Sequence, residues 1–234
     1  MYIRDLQVTY RVESVYDHFR DRYADFHRKF AYHPCCIVDY LCYKTYRMIH
    51  TEKTAKIVFH FHLDDTTFTG KYDDWQGIIT INSVFDFEKY LRCSDDSTKK
   101  EMLAIHISHE MQSLFLRESW DIAPVTAAFQ ELASTQYRID GELIKHWYND
   151  NRKYKAKLTV QYDLEAVDFK VHLLKGKTKD MICTRDFATF LPSYGCITEF
   201  LKTAAWASPT VFQAKSPGFA GKLFSIDFTD VMTP

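Results

Sequence analysis

Residues 157–173, KLTVQYDLEAVDFKVHL, alternate in a way that only strands can use. Leu158, Val160 and Tyr162, then Val167, Phe169, Val171 and Leu173, fall at every second position and so share one side of an extended chain. Lys175-Gly176 reads as a turn, Met181–Cys183 as a third strand and Leu223–Phe228 as a last one. Ile197–Trp206, flanked by Pro192 and Pro209, reads as a short helix between them. Everything after Asp150 is therefore expected to be mostly antiparallel β-structure.

Upstream the pattern changes period. Leu6, Val8 and Tyr10 suggest a first strand, and the spacing of Val15, Tyr16, Phe19, Tyr23, Phe26 and Phe30 predicts an amphipathic helix that Pro34 ends. Ile37–Met48 predicts a second helix. In the run Ile57–Leu63, Ile57, Phe59, Phe61 and Leu63 point one way and Val58, His60 and His62 the other, so a strand is expected there. Ile78–Ile81, opened by Gly77, is a short β-branched run suited to a strand covered on both faces. Thr98 with Glu101 forms a capping box for a helix running to about Glu118. Asp121 and Pro124 then start another over Val125–Tyr137, and the two are expected to form a hairpin. The fold class is α+β: a helical part with a small sheet over 1–150, then a β-rich part over 151–234 packed on it as one unit.

Composition narrows the function classes. The chain has 234 residues, 46% hydrophobic, with a formal net charge of −1. That excludes a disordered chain and leaves no global field to draw the molecule to nucleic acid or an anionic membrane. Seven glycines argue against glycine-rich phosphate loops. The six cysteines are scattered without the paired spacing of a structural zinc site, no secretory leader precedes them, and no apolar run reaches the ~18 residues of a membrane span. Reduced thiols in a cytoplasmic protein are expected, with no membrane partner.

The expected helix at 98–118 carries the one suggestive constellation. Leu103, Ile107, Met111, Leu114 and Phe115 share an apolar side, while His106, Glu110, Ser113 and Arg117 form a polar strip with His109 beside it. Such a strip must find water, partners or a metal. His109-Glu110-Met111-Gln112-Ser113 resembles the His-Glu-x-x-His helix of zinc metallopeptidases, and Phe129-Gln130-Glu131-Leu132-Ala133-Ser134 resembles the second helix of their gluzincin branch. The resemblance covers residues 78–137. It implies a zinc-dependent hydrolase, or an inactive descendant, with His109 and Glu131 as ligands and Glu110 as general base. Ser113 stands where that pattern has its second histidine, which leaves two ligands where a catalytic site needs three. His106, or His60 and His62 at i and i+2 on their strand, are the candidates to complete it.

Residues 145–157, KHWYNDNRKYKAK, hold five basic residues and one acidic. Trp147, Tyr148, Arg152, Lys153, Tyr154 and Lys155 combine aromatic rings with cations, a mixture that can stack bases and meet phosphates. The whole-chain charge gives nucleic acid no support. Nucleophile elbow, phosphate loop, dinucleotide and calcium signatures are all lacking, and aromatic residues make up 16% of the chain. The leading expectation is therefore a non-catalytic protein that binds another macromolecule through aromatic anchors, for instance a bacterial immunity or inhibitor protein that neutralises a toxin, with no cofactor. Zinc is the cofactor of the hydrolase alternative.

Overall fold

A computed structural model describes residues 1–10, 30–45, 47–218 and 221–232, apart from the side chains of Glu142 and Ile144. Helices and strands are both plentiful, so the fold is mixed α+β. The chain forms two compact units, Met1–Arg138 and Ile139–Pro234. That division falls before the one expected near residue 150, because Ile139–Tyr148 is a strand of the second unit's sheet. The helix expected between Glu13 and Phe30 lies outside the described residues, Phe30 apart.

The first unit is built on a four-stranded sheet in the order β1(Asp5–Tyr10), β2(Lys56–His62), β4(Ile78–Val84), β3(Tyr72–Trp75). The first three strands run parallel, with Leu6 beside Ile57 and Ile57 beside Ile79, and β3 closes the edge antiparallel to β4. Ile57, Phe59, Phe61, Ile79 and Ile81 are buried, as their alternation requires. The β3–β4 turn is two residues long, Gln76 at φ 50° and Gly77 at φ 81°, the doubly left-handed geometry that suits the twist of a hairpin. A Cβ on Gly77 would sit 2.7 Å from the Lys53 carbonyl oxygen. Left-handed backbone and that close approach act together, so Gly77→Ala is expected to cost about 1–3 kcal/mol in a urea titration.

Five helices are described. α1(Cys35–Lys44) and the short α2(Phe87–Arg92) are followed by α3(Asp96–Glu118) and α4(Ala123–Ser134), the expected hairpin. The cap of α3 is Asp95 and not Thr98. Asp95 Oδ2 accepts hydrogen bonds from both the amide and the hydroxyl of Thr98, so the threonine supports the cap from inside the first turn. The N-cap of α4 is Ile122 and not Asp121, which stands one residue earlier and accepts through Oδ1 from the Ala123 amide. Leu103, Ile107, Met111, Leu114 and Phe115 are all buried. Phe30, Phe61, Phe85 and Phe87 form an aromatic core, with Phe61 and Phe85 stacked at 4.9 Å. The six cysteines stand as thiols, with Cys35, Cys36 and Cys196 buried.

The second unit is a four-stranded antiparallel meander, β5(Ile139–Tyr148), β6(Tyr154–Tyr162), β7(Val167–Lys175) and β8(Met181–Phe190). A smaller antiparallel sheet follows, with β10(Val211–Lys215) between β9(Ala205–Trp206) and β11(Leu223–Asp227). α5(Cys196–Thr203) turns Cys196, Ile197, Phe200 and Leu201 inward. The Phe200 ring lies tilted 4.3 Å from that of Phe169 of β7, so the helix covers one face of the meander. No described helix is long and apolar enough to cross a membrane.

Candidate functional site

The polar strip of α3 finds its partners in protein. His106 Nε2 lies 2.9 Å from Ser83 Oγ at the end of β4, and its ring meets Phe61 and Phe85 edge-on. Glu110 is buried, with Lys71 Nζ 2.9 Å from Oε2, an ion pair whose oblique approach falls outside hydrogen-bond geometry. The Arg117 guanidinium lies 4.5 Å from the centre of the Tyr72 ring. Ser113 Oγ donates back to the His109 carbonyl of its own helix. The strip is thus the seam by which α3 docks on β3 and the end of β4.

A second set of buried polar side chains lies in the same sheet. Asn82 donates through Nδ2 to the Gly70 carbonyl and to Asp73 Oδ2, which leaves its oxygen to accept from His62 Nε2 at 3.1 Å. His62 Nδ1 faces Thr67 Oγ1 at 2.8 Å. Both nitrogens of this 2% exposed ring are therefore taken. The strand face that carries the two histidines is half-buried at His60, whose ring lies 4.5 Å from that of His62, and closed at His62. This is the carboxyl end of the parallel strands, where open α/β sheets hold ligands, but here the groups satisfy one another.

The five expected metal ligands do not gather. His109 is largely exposed, with Nδ1 3.4 Å from the Glu110 carboxylate beside it. Glu131 is tied to α1, where it accepts from Lys44 Nζ at 2.5 Å and from the Tyr40 hydroxyl. Burial first, and then the charge of Glu131, push the Tyr40 phenol far above its usual range. Among the described residues no three His, Cys, Asp or Glu side chains are grouped to hold a metal ion. The reason is geometric: the Glu131 carboxylate is spent bracing α4 against Lys44 and Tyr40 of α1, while His106 and His62 serve the sheet.

Burial, the larger effect, pulls His106 below its usual value of 6.5 against the opposing pull of Glu110, with His109 and Lys71 lowering it further. Below pH 6.5 the unfolded chain takes up a proton that the folded ring resists, so stability falls as pH drops toward the folded value and is flat above 6.5. A melting series from pH 8 to pH 5 is expected to show that slope, and His106→Gln to flatten it. An unchanged slope in the variant would show that His106 does not cause it.

Among the open clefts of the described residues, two are lined by candidate site residues. Between α3 and α4 lies a groove of about 430 Å³ lined by Ile105, Ser108, His109 and Gln112 on one helix and Thr126, Phe129, Gln130 and Ala133 on the other, with Ala104 and Tyr137. No lining residue is Asp, Glu, Lys or Arg. Ile105 and, three turns further along the same stripe, Leu116 stand 57% and 85% exposed.

The other cleft, about 700 Å³, lies in the second unit between the β5–β6 and β7–β8 turns. It holds four of the six residues expected to bind: Tyr148, Arg152, Lys153 and Tyr154. Trp147 and Lys155 are not in it. Successive strand residues face opposite ways, so Trp147 packs 5.5 Å from Phe212 on the inner side while Tyr148 faces out. Lys155 is buried, with Nζ 6.0 Å from the Tyr148 ring. Lys175 and Lys177, which belong to a different stretch of sequence, complete the lining. Their only sequence signal was Gly176 beside them. The chain matches no protein-family model, and no curated protein or solved structure resembles it significantly.

Proposed function

We propose that the protein is a non-catalytic binder of another protein, in the manner of an immunity or inhibitor protein, and that its α3–α4 groove receives an amphipathic helix of the partner. One observation carries this reading: ten residues line the groove and none is Asp, Glu, Lys or Arg, in a chain of which those four make up 26%. Interface centres are depleted in charge in the same way, and a two-helix groove offers a third helix the knobs and holes of ordinary helix packing. Ile105, His109, Gln112 and Leu116 advance in steps of three and four along α3 over about 16 Å, room for three turns of a docked helix. The engagement of His62, His106, Glu110 and Glu131 with neighbouring side chains also favours binding over catalysis. The thiols suit a cytoplasmic setting.

The test is a phage-displayed library of helical peptides selected on the immobilised protein. Enriched sequences are expected to repeat apolar residues at spacings of three and four, and to bind Ile105→Lys or Gln112→Lys at least tenfold more weakly. Selected peptides that bind both variants as well as the parent would overturn the groove as the binding surface.

A further inference from the structure

The cleft of the second unit is a concentration of unpaired positive charge. Arg152, Lys153, Lys175 and Lys177 line it with Tyr148, Asn151, Tyr154, Gly176 and Thr178, and no acidic side chain does. Among the described residues none of the four cations takes part in an ion pair, although lysines and arginines elsewhere in this unit, such as Lys170, Arg185 and Lys202, do. Like charges held together without counter-charge in a concave site raise the local potential and draw in an anion.

The cleft is also built firmly. The Gly176 amide donates to the Lys153 carbonyl at 2.7 Å, joining the two turns, and a Cβ on Gly176 would fall 2.1 Å from the Arg152 carbonyl oxygen. Buried Asn149 anchors the first turn: its Oδ1 accepts from the Tyr154 amide and its Nδ2 donates to the Pro209 carbonyl. Arg152 itself sits at φ 55°, a left-handed position that glycine or asparagine would occupy at lower cost. That conformation lays its guanidinium 4.5 Å from the Tyr148 ring centre. A guanidinium stacked on a tyrosine is a platform for a planar ring, and the lysines around it are point charges for phosphate.

We propose that this cleft is a nucleotide site: the lysines hold phosphate and the Tyr148–Arg152 pair stacks the base. Its volume is that of a small-molecule pocket and not of a surface that tracks a duplex, and the net charge of −1 offers nothing for a long backbone. The ligand is therefore a free nucleotide or a nucleotide unit of a single strand, and the two share one chemistry.

The test uses the whole chain and three probes: 5′-fluorescein-labelled dT10 followed by anisotropy, with ADP and inorganic pyrophosphate as competitors. Binding of dT10 is expected to weaken with salt at a log–log slope of about −0.7 per phosphate neutralised, near −2 to −3 for four cations. Arg152→Gln/Lys177→Gln should weaken dT10 and ADP at least tenfold and flatten the slope by about 1.4. Lys179→Gln, which removes the same charge from the same turn outside the lining, should bind as the parent does. Tyr148→Leu should weaken ADP and leave pyrophosphate unchanged. Tighter dT10 than ADP assigns the site to strands, and the reverse assigns it to free nucleotides. No salt-dependent binding of dT10 or ADP, binding that survives the double glutamine variant in a protein that melts like the parent, or pyrophosphate competing as well as ADP would each overturn the proposal.

Discussion

Phe200→Ala is expected to lower the stability of the second unit by about 3–5 kcal/mol, a large share of what holds a domain of ordinary stability folded. Phe200 is fully buried on α5 and meets Phe169 at 4.3 Å, Phe190 at 5.3 Å and Phe187 at 5.8 Å. These rings come from two strands, and α5 is the one helix described in this unit, so removing the central ring leaves a cavity that the rigid strands around it cannot close. Phe200→Leu keeps most of the volume and should cost less than half as much. A urea titration followed by the fluorescence of Trp147 and Trp206, both in this unit, reads the difference. A loss under 1 kcal/mol for the alanine variant would mean that α5 is not the helix that closes the meander.

The second large effect is expected at Asn82, where simple hydrophobicity gives the wrong sign. Asn82→Leu buries more apolar surface at a 5% exposed position and would be stabilising if area were all that mattered. It also strips partners from His62 Nε2, the Gly70 carbonyl and Asp73 at once. Exposed Asp73 turns to water, but the buried His62 ring and the half-buried Gly70 carbonyl each cost about 1–3 kcal/mol when left without a partner, so the network wins and a net loss of about 2–4 kcal/mol is expected. Combining Asn82→Leu with His62→Phe should recover part of that loss, because the ring then has no proton to satisfy. Additive losses in this double-mutant cycle would show that the two side chains are not coupled.

The parts of the fold that the chain announces are those with clean periodicity. The alternation in 157–173, the buried face of α3 and the Asp121-Pro124 start of α4 all survive in the structure, since each depends on neighbours a few residues away. β5 was missed for a local reason. Its pairing with β6 shifts register between Glu142 and His146, and a bulge destroys the period-two signal that marks a strand. β3 was missed because four residues with two aspartates at a sheet edge look like a loop, and edge strands are charged so that they do not pair with other chains. The parallel arrangement of β1, β2 and β4 is a long-range choice that no local spacing encodes.

The sites divide along the same line. His106 and Glu110 were visible as a polar strip that needed partners, but the partners, Ser83 and Lys71, lie at the end of one strand and the approach to another and carry no pattern of their own. A resemblance to a metallopeptidase helix gave His109 and Glu131 a role in zinc binding. The same two residues stand apart here, one exposed and one salt-bridged to Lys44. In the second unit the stretch 145–157 reads as one surface, whereas a hairpin splits it: half-buried Trp147 turns inward against Phe212, and Tyr148 and Arg152 turn to the cleft. Lys175 and Lys177 join them only because β6 and β7 pair from Tyr154 opposite Lys175 to Tyr162 opposite Val167.

Binding through the α3–α4 groove is tested most directly by a photo-crosslinking residue at Gln112 in the cells that make the protein, with the same residue at exposed Lys89 outside the groove as control. A discrete protein adduct is expected from position 112 and not from 89. The cross-linked protein, once identified and purified, should bind the parent chain and bind Ile105→Lys at least tenfold more weakly. No protein adduct at 112, or a purified partner that binds Ile105→Lys as tightly as the parent, would contradict it.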